Sequence, residues 1–146
     1  MNNIIIRNIE ENDIDSIAGL YRLFWDDEQN ADKMKMKFRQ LRDNSSYIFL
    51  CAVADGQVAG TIMGIICDEL YGDCRPFLLM EDLVVRNDFR RMKIGTKLLN
   101  AMENIGREKG CYQIIFMTER NRVSSVSFYE SIGYDSEANI GFKKKL

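Results

Sequence analysis

Between residues 90 and 96 the chain places Arg90, Arg91, Met92, Lys93, Ile94, Gly95 and Thr96, a cationic turn leading into an apolar pattern with helical spacing. The first amides of a helix have no intrahelical acceptor and the helix dipole is positive at that end, so such a turn has the makings of an anion site. Gly95 lets a phosphate come close to the backbone, and Thr96 adds a hydroxyl donor. Ordinary solvated cations on a surface turn are the other reading of this segment taken alone. The sequence contains no histidine. That excludes Ser-His and Cys-His nucleophile pairs, histidine-ligated zinc and imidazole bases. Proton transfer must therefore run on carboxylates, tyrosines, cysteines, lysines or backbone amides, and no metal is indicated.

At 146 residues with 46% hydrophobic composition the chain is expected to form one domain spanning 1–146. Lys and Arg number 20 against 22 Asp and Glu, which gives no basic field for a polyanion, so neither nucleic acid nor membrane is expected as a partner. The apolar start Ile4-Ile5-Ile6 is cut short by Arg7, too brief for a secretion signal, and the stretch Val58 to Cys67 is too short to span a bilayer. A soluble cytoplasmic protein is expected. Cys51, Cys67, Cys74 and Cys111 are scattered without a Cys-x-x-Cys pair and read as reduced thiols.

The elements that must position the cationic turn follow from periodicity. Asn3 to Asn8 reads as a strand, and Ile14, Ile17, Leu20, Tyr21 and Phe24 as one face of a helix capped near Glu11 to Asp13. A second helix is predicted over about Ala31 to Leu41. Tyr47–Ala54 and Gln57–Cys67 read as a hairpin turned at Asp55-Gly56, and Phe77–Val85 as a third long strand. A helix from Ile94 carries the stripe Ile94, Leu98, Leu99, Met102 and Ile105 and closes at Gly110. Tyr112–Thr118 is expected as a strand, Val123–Ser131 as a short helix, and Tyr134–Leu146 as one or two further strands whose pairing makes a homodimer conceivable.

Two segments resemble the GNAT superfamily of acyl-CoA N-acetyltransferases. The first is Leu83-Val84-Val85 followed by Arg90-Arg91-Met92-Lys93-Ile94-Gly95, similar to the family's Arg/Gln-x-x-Gly-x-Gly/Ala cofactor motif with Lys93 at the first glycine position. The second is Asn121-Arg122-Val123-Ser124-Ser125 through Phe128-Tyr129 to Gly133-Tyr134, similar to the family's Asn-Arg-x-x-Ala-x-x-Phe-Tyr-x-x-x-Gly-Phe stretch. The stretch Met80 to Val85 is particularly similar to the subset that acetylates diamines and polyamines. The resemblance implies a mixed α/β (α+β) fold with a mostly antiparallel sheet of six or seven strands flanked by about four helices. It also implies acetyl-CoA as cosubstrate, and a small-molecule or peptide amine as acceptor.

It further implies that Leu83, Val84 and Val85 pair with the pantetheine arm, in a cleft between Phe77–Val85 and Tyr112–Thr118, and that residues 90–96 hold the pyrophosphate. An amine substrate arrives protonated and must lose a proton before attack, a task assigned to Glu81, directly or through water; an ion pair to a neighbouring cation is the alternative. By strand alternation Glu81 and Asp82 point to opposite faces, so only one meets the cleft. Tyr129 is the candidate acid for the departing thiolate, with plain core packing as the alternative. Asn121 is assigned to the pantetheine amides and Arg122 to a phosphate or to solvent. Trp25 and Asp26 are candidate acceptor contacts or, alternatively, ordinary helix packing and surface. An acyl-CoA-binding or regulatory module without turnover is the rival function. Acyl transfer through Cys51 or Cys111 is disfavoured, because nothing nearby activates a thiol.

Overall fold

The computed structural model describes residues 3–146. Two compact units divide the chain after Ile115. The first holds β1 (Ile4–Asn8), α1 (Ile14–Trp25), α2 (Ala31–Leu41), β2 (Tyr47–Ala54), β3 (Gln57–Cys67), β4 (Phe77–Val85), α3 (Ile94–Glu108) and β5 (Ile114–Ile115). The second holds α4 (Val123–Ser131). No described helix is long and apolar enough to cross a membrane.

The sheet order is β1-β2-β3-β4-β5, antiparallel through β4, with β5 parallel to β4. Asp55 and Gly56 both adopt positive φ, 51° and 75°, the conformation of a two-residue hairpin turn whose twist matches its strands. One face of the sheet receives α3. A side chain at Gly60 of β3 would meet Ile94 and Leu98 at 3.1 and 3.2 Å, and one at Gly64 would meet the Met102 sulfur at 2.5 Å, so both glycines are there to let the helix approach. On the other face Ile17 and Leu20 of α1 pack with Cys51, Val58 and Val84.

The entry into α1 is fixed by a partly buried ion pair. Arg7 donates to both Asp13 carboxylate oxygens, at 2.7 and 3.0 Å, while the Glu10 amide donates to Asp13 Oδ2 at 2.7 Å. Arg7 holds the Asp13 carboxyl below its ordinary range, outweighing burial. A depressed folded-state pKa contributes stability that is present above the unfolded value of ~3.9 and is lost as pH falls through the folded value. Urea midpoints should therefore fall below about pH 4 in the native chain. In Asp13→Asn that acid-side decline should be shallower, and equal slopes would reject the assignment.

The sheet has five strands among the described residues, against the six or seven expected. The strand expected over Tyr112–Thr118 is reduced to Ile114–Ile115, and none forms from Tyr134 onward. At the start of that tail Asp135 Oδ1 accepts from the amides of Glu137 and Ala138, at 2.8 and 3.1 Å, a side-chain turn that competes with strand pairing. Ile140, Phe142 and Leu146 are left exposed on either side of the Lys143-Lys144-Lys145 run.

Candidate functional site

The last strand pairing of the sheet leaves half of β4 open. Leu78 pairs with Ile114 and Leu79 with Ile115, and there the β5 ladder ends. From Met80 to Val85 the β5-side edge of β4 has no strand partner among the described residues, although its other edge stays paired to β3 as far as Gly60↔Val85. An open edge presents main-chain donors and acceptors for an extended ligand to pair with.

Within this open stretch β4 carries a bulge. Glu81 lies opposite Met63 and Val84 opposite Thr61, so Asp82 and Leu83 share the place opposite Ile62. Asp82 absorbs the extra residue at φ +56°, a left-handed conformation that aspartate tolerates better than most side chains. Simple alternation would put Val84 on the α3 face with Leu78 and Met80; the bulge carries it instead to the α1 face beside Ile17, Leu20 and Cys51. The alternation expected for Glu81 and Asp82 is thus interrupted at Asp82 itself. Glu81 is exposed, whereas Asp82 and Leu83 are half-buried.

Beyond Val85 the strand leads through a 3-10 turn, Asn87–Phe89, to the cationic loop. Phe89 is buried under the Arg86 guanidinium, 5.0 Å from the ring centroid, and Arg86 pairs with Asp88, which fixes the loop's root. Arg90, Arg91 and Lys93 are exposed. Arg91 and Lys93 both adopt left-handed backbone, φ 67° and 59°, and Lys93 is the N-cap of α3. The first main-chain bond of that helix runs from the Lys97 amide to the Lys93 carbonyl at 2.9 Å, so the amides of residues 94–96 stand ahead of the helical ladder. Ile94, Leu98, Leu99 and Met102 are essentially inaccessible and anchor this end of the helix to the sheet. Lys93 therefore takes the shape that a glycine adopts freely, at a cost of about 1–2 kcal/mol. Lys93→Gly should accordingly raise stability by about 0.5–1 kcal/mol net of glycine's greater unfolded-state freedom, read as a higher urea midpoint; a loss would show that Lys93 is held by contacts outweighing the strain.

The α1 face of the bulge is aromatic. Tyr21 stands edge-on to Trp25 with ring centroids 5.1 Å apart, and Phe24 to Trp25 at 4.8 Å. The Tyr21 phenol is pushed well above its ordinary range, first by burial and then by the Asp82 carboxylate, partly offset by its hydrogen bond with Thr61. Thr61 is buried and donates to the Leu50 carbonyl at 3.1 Å. Burial likewise pushes the Asp82 carboxyl up. Trp25 is 41% exposed, and Asp26 ends α1 in left-handed backbone at φ 51°, exposed with its neighbours Asp27 and Glu28. Reading the sequence as a regular strand passed over Asp82 and Tyr21. A Glu-Asp pair inside a run of Leu, Met and Val is the signal available there, since aspartate is depleted in strands and favours bulges.

In the second unit Tyr129 sits half-buried among rings, with centroids 4.5 Å from Phe116, 5.3 Å from Phe128 and 6.1 Å from Tyr134. Burial raises its phenol above the ordinary value, keeping it protonated at neutral pH. Arg122 is the N-cap of α4, its carbonyl accepting from the Val126 amide at 3.1 Å, and Asn121 is exposed in the preceding turn. All four cysteines are free, and burial pushes the Cys51 thiol up to about 11 and raises Cys111, the opposite of what a thiolate acyl carrier requires. Among the described residues no group of acidic and cysteine side chains is arranged to hold a metal. The groove lined by Phe38, Arg42, Tyr47, Ile105 and Lys109 shares no residue with the cradle or the bulge.

An open strand edge that leads into exposed arginines and the unpaired amides of a helix start offers main-chain pairing to an extended ligand and anion contacts at its end. The family model described as "Acetyltransferase (GNAT) family" matches residues 17–134, and the chain belongs to that family. It is 25% identical over 146 residues to aminoglycoside N(6')-acetyltransferase type 1 of Salmonella typhimurium, covering 96% of this chain and 97% of that protein. It is 27% identical over 105 residues to glucosamine 6-phosphate N-acetyltransferase 1 of Dictyostelium discoideum, covering 68% of this chain and 63% of that one. The chain thus spans less than two thirds of the latter relative's length. A solved aminoglycoside N-acetyltransferase in complex with CoA superposes with a TM-score of 0.83 at 20% identity, covering 99% of this chain and 96% of the other, which bears on the fold.

Proposed function

We propose that this chain transfers the acetyl group of acetyl-CoA to a primary amine by direct attack. The observation that carries the reading is the continuity of the open β4 edge beyond Leu79 with the cradle at the start of α3. The main chain of Leu83, Val84 and Val85 pairs with the pantetheine arm, while Arg90, Arg91, Lys93 and the amides as far as Thr96 meet the pyrophosphate. Met92 and Ile94 contribute main chain to the cradle, Gly95 lets the phosphate approach, and Asn121 and Arg122 serve the cosubstrate from the second motif.

The acceptor ammonium gives its proton to Glu81, directly or through one water, which frees the nitrogen lone pair. The nitrogen attacks the thioester carbon; the carbonyl oxygen becomes negative and takes a hydrogen bond from an amide near Leu83, a contribution of a few kcal/mol. Collapse breaks the carbon–sulfur bond; the departing CoA thiolate takes the Tyr129 phenol proton, and the second proton of the attacking nitrogen passes to the tyrosinate, which leaves a neutral amide, CoA thiol and a restored phenol. Trp25 and Asp26 contact the acceptor. The same reading puts the enzyme in the cytoplasm, where its four free thiols stay reduced.

The test is thiol release from acetyl-CoA in the presence of primary amines. Glu81→Gln and Tyr129→Phe should each lower kcat about 10²-fold, within the usual range for a lost acid or base, with the acetyl-CoA Kd unchanged by calorimetry. A Tyr129→Phe variant with full kcat would reduce Tyr129 to ring packing. Acetyl-CoA binding without release from any amine would favour a binding module, for which the strained Lys93 at the first motif glycine is the supporting feature.

A further inference from the structure

We propose that the groove between the C-terminal ends of α2 and α3 is a ligand site in its own right, and that its ligand is a small carboxylate with an aromatic body. It lies apart from the cosubstrate site and does not rest on the acetyl-transfer reading.

The groove opens where β1 stops covering β2. The β1 ladder ends at Asn8↔Leu50, with the Ile9 amide donating to the Phe49 carbonyl at 3.0 Å, so Tyr47 and Ile48 lie past the last β1 pair. Phe38 of α2 and Ile48 are its buried lining, while Tyr47, Phe49 and, from α3, Ile105 are half-buried in it. The cavity is about 330 Å³, at the small end of the ~300–1,000 Å³ usual for ligand pockets. Its aromatic side is already arranged for stacking. Tyr47 lies nearly parallel to Phe49, 16° between ring planes with centroids 6.2 Å apart, and Phe49 meets Phe38 edge-on at 5.6 Å. Half-exposed rings in such a cavity gain when a planar apolar body covers them.

Charge decides the other end of the ligand. In a chain of net charge −2, the groove is lined by two cations, Arg42 and Lys109, and by no aspartate or glutamate. They come from different helices, each as the residue that caps the last turn. Neither is fully engaged within the fold. Glu11 and Asp43 stand 3.9 and 4.0 Å from the Arg42 side chain, but Arg39 Nε donates to both Glu11 oxygens at 3.0 Å, and Asp43 is exposed. Lys109 takes part in no ion pair among the described residues. A carboxylate can meet the planar guanidinium with both oxygens and still accept from an ammonium, whereas an amine would face two like charges. The exposed Ser45 hydroxyl and Asn8 amide add neutral donors at the same rim.

NMR of the full chain, labelled at the isoleucine δ1 methyls and titrated with 4-phenylbutyrate, tests the assignment. Expected are saturable shifts at Ile9, Ile48 and Ile105, which line the groove, with Ile94 at the start of α3 and Ile114 and Ile115 of β5 unmoved. The neutral 4-phenylbutyramide should bind at least about fivefold more weakly. Arg42→Gln and Lys109→Gln should each weaken 4-phenylbutyrate binding about two- to fivefold, and together about tenfold, the range for exposed charge pairs. Both side chains are exposed at helix ends, so the variants should keep the native methyl spectrum. Equal affinity for the acid and the amide, or for the native chain and the double variant, would reduce Arg42 and Lys109 to ordinary helix-end cations and overturn the inference. Shifts confined to Ile94, Ile114 and Ile115, or no shift with millimolar probe, would overturn it as well.

Discussion

Replacing Arg90 and Arg91 together by Ala should raise the KM for acetyl-CoA roughly 30- to 150-fold, with kcat nearly unchanged. Both arginines are exposed and lie where β4 hands over to α3, ahead of the first helical hydrogen bond. Each charge-assisted contact to a pyrophosphate oxygen is worth about 1–1.5 kcal/mol after discounting for exposure, and every 1.4 kcal/mol is tenfold in affinity. The pyrophosphate is remote from the thioester, so these contacts are made equally in the ground and transition states and act on KM. Salt provides an internal check: the native KM should rise with ionic strength more steeply than that of the double variant. An unchanged KM would remove the arginines from the cosubstrate site.

A second large effect is expected for Leu98→Ala. Leu98 is fully buried and meets the bare backbone of Gly60, where a side chain would stand 3.2 Å away. Deleting a buried leucine side chain where the glycine opposite has nothing with which to fill the space costs about 3–5 kcal/mol. With a urea m-value of about 1–3 kcal/mol/M, the midpoint should fall by at least ~1 M. Because α3 carries the cradle at its N-terminus, acetyl-CoA should partly restore the variant's stability through binding to the folded state. A loss under 1 kcal/mol would mean that α3 repacks against the sheet rather than resting on the glycines.

Much of this architecture is legible in the sequence because local and tertiary preferences agree. The bounds of β2, β3, β4, α2 and α4 follow the periodicity read from the residues, and the Asp55-Gly56 turn sits where its chemistry places it. The start of α3 at Ile94 is legible for the same reason, since the stripe Ile94, Leu98, Leu99 and Met102 has helical spacing and is buried. What escaped depends on interactions between distant segments. The bulge at Asp82 is set by which β4 residue meets Met63 and which meets Thr61; the Glu81-Asp82 pair marks a break in the apolar run but does not specify that register. The tail resembles strand by composition, but a strand needs a neighbour, and the Asp135 turn satisfies amides that pairing would otherwise use. Lys93 at a left-handed position shows the reverse case, in which the fold imposes a conformation that the residue type disfavours.

Thermal unfolding with and without acetyl-CoA tests the central claim most directly. A ligand at a hundred times its Kd stabilises the folded state by about 2.7 kcal/mol, which for a domain of this length raises Tm by roughly 5–10 °C. The expected result is a shift of that size for the native chain that is largely lost in the Arg90→Ala, Arg91→Ala double variant. No shift at saturating acetyl-CoA would contradict the assignment of the β4 edge and the α3 cradle to the cosubstrate, and with it the acetyl transfer built on them.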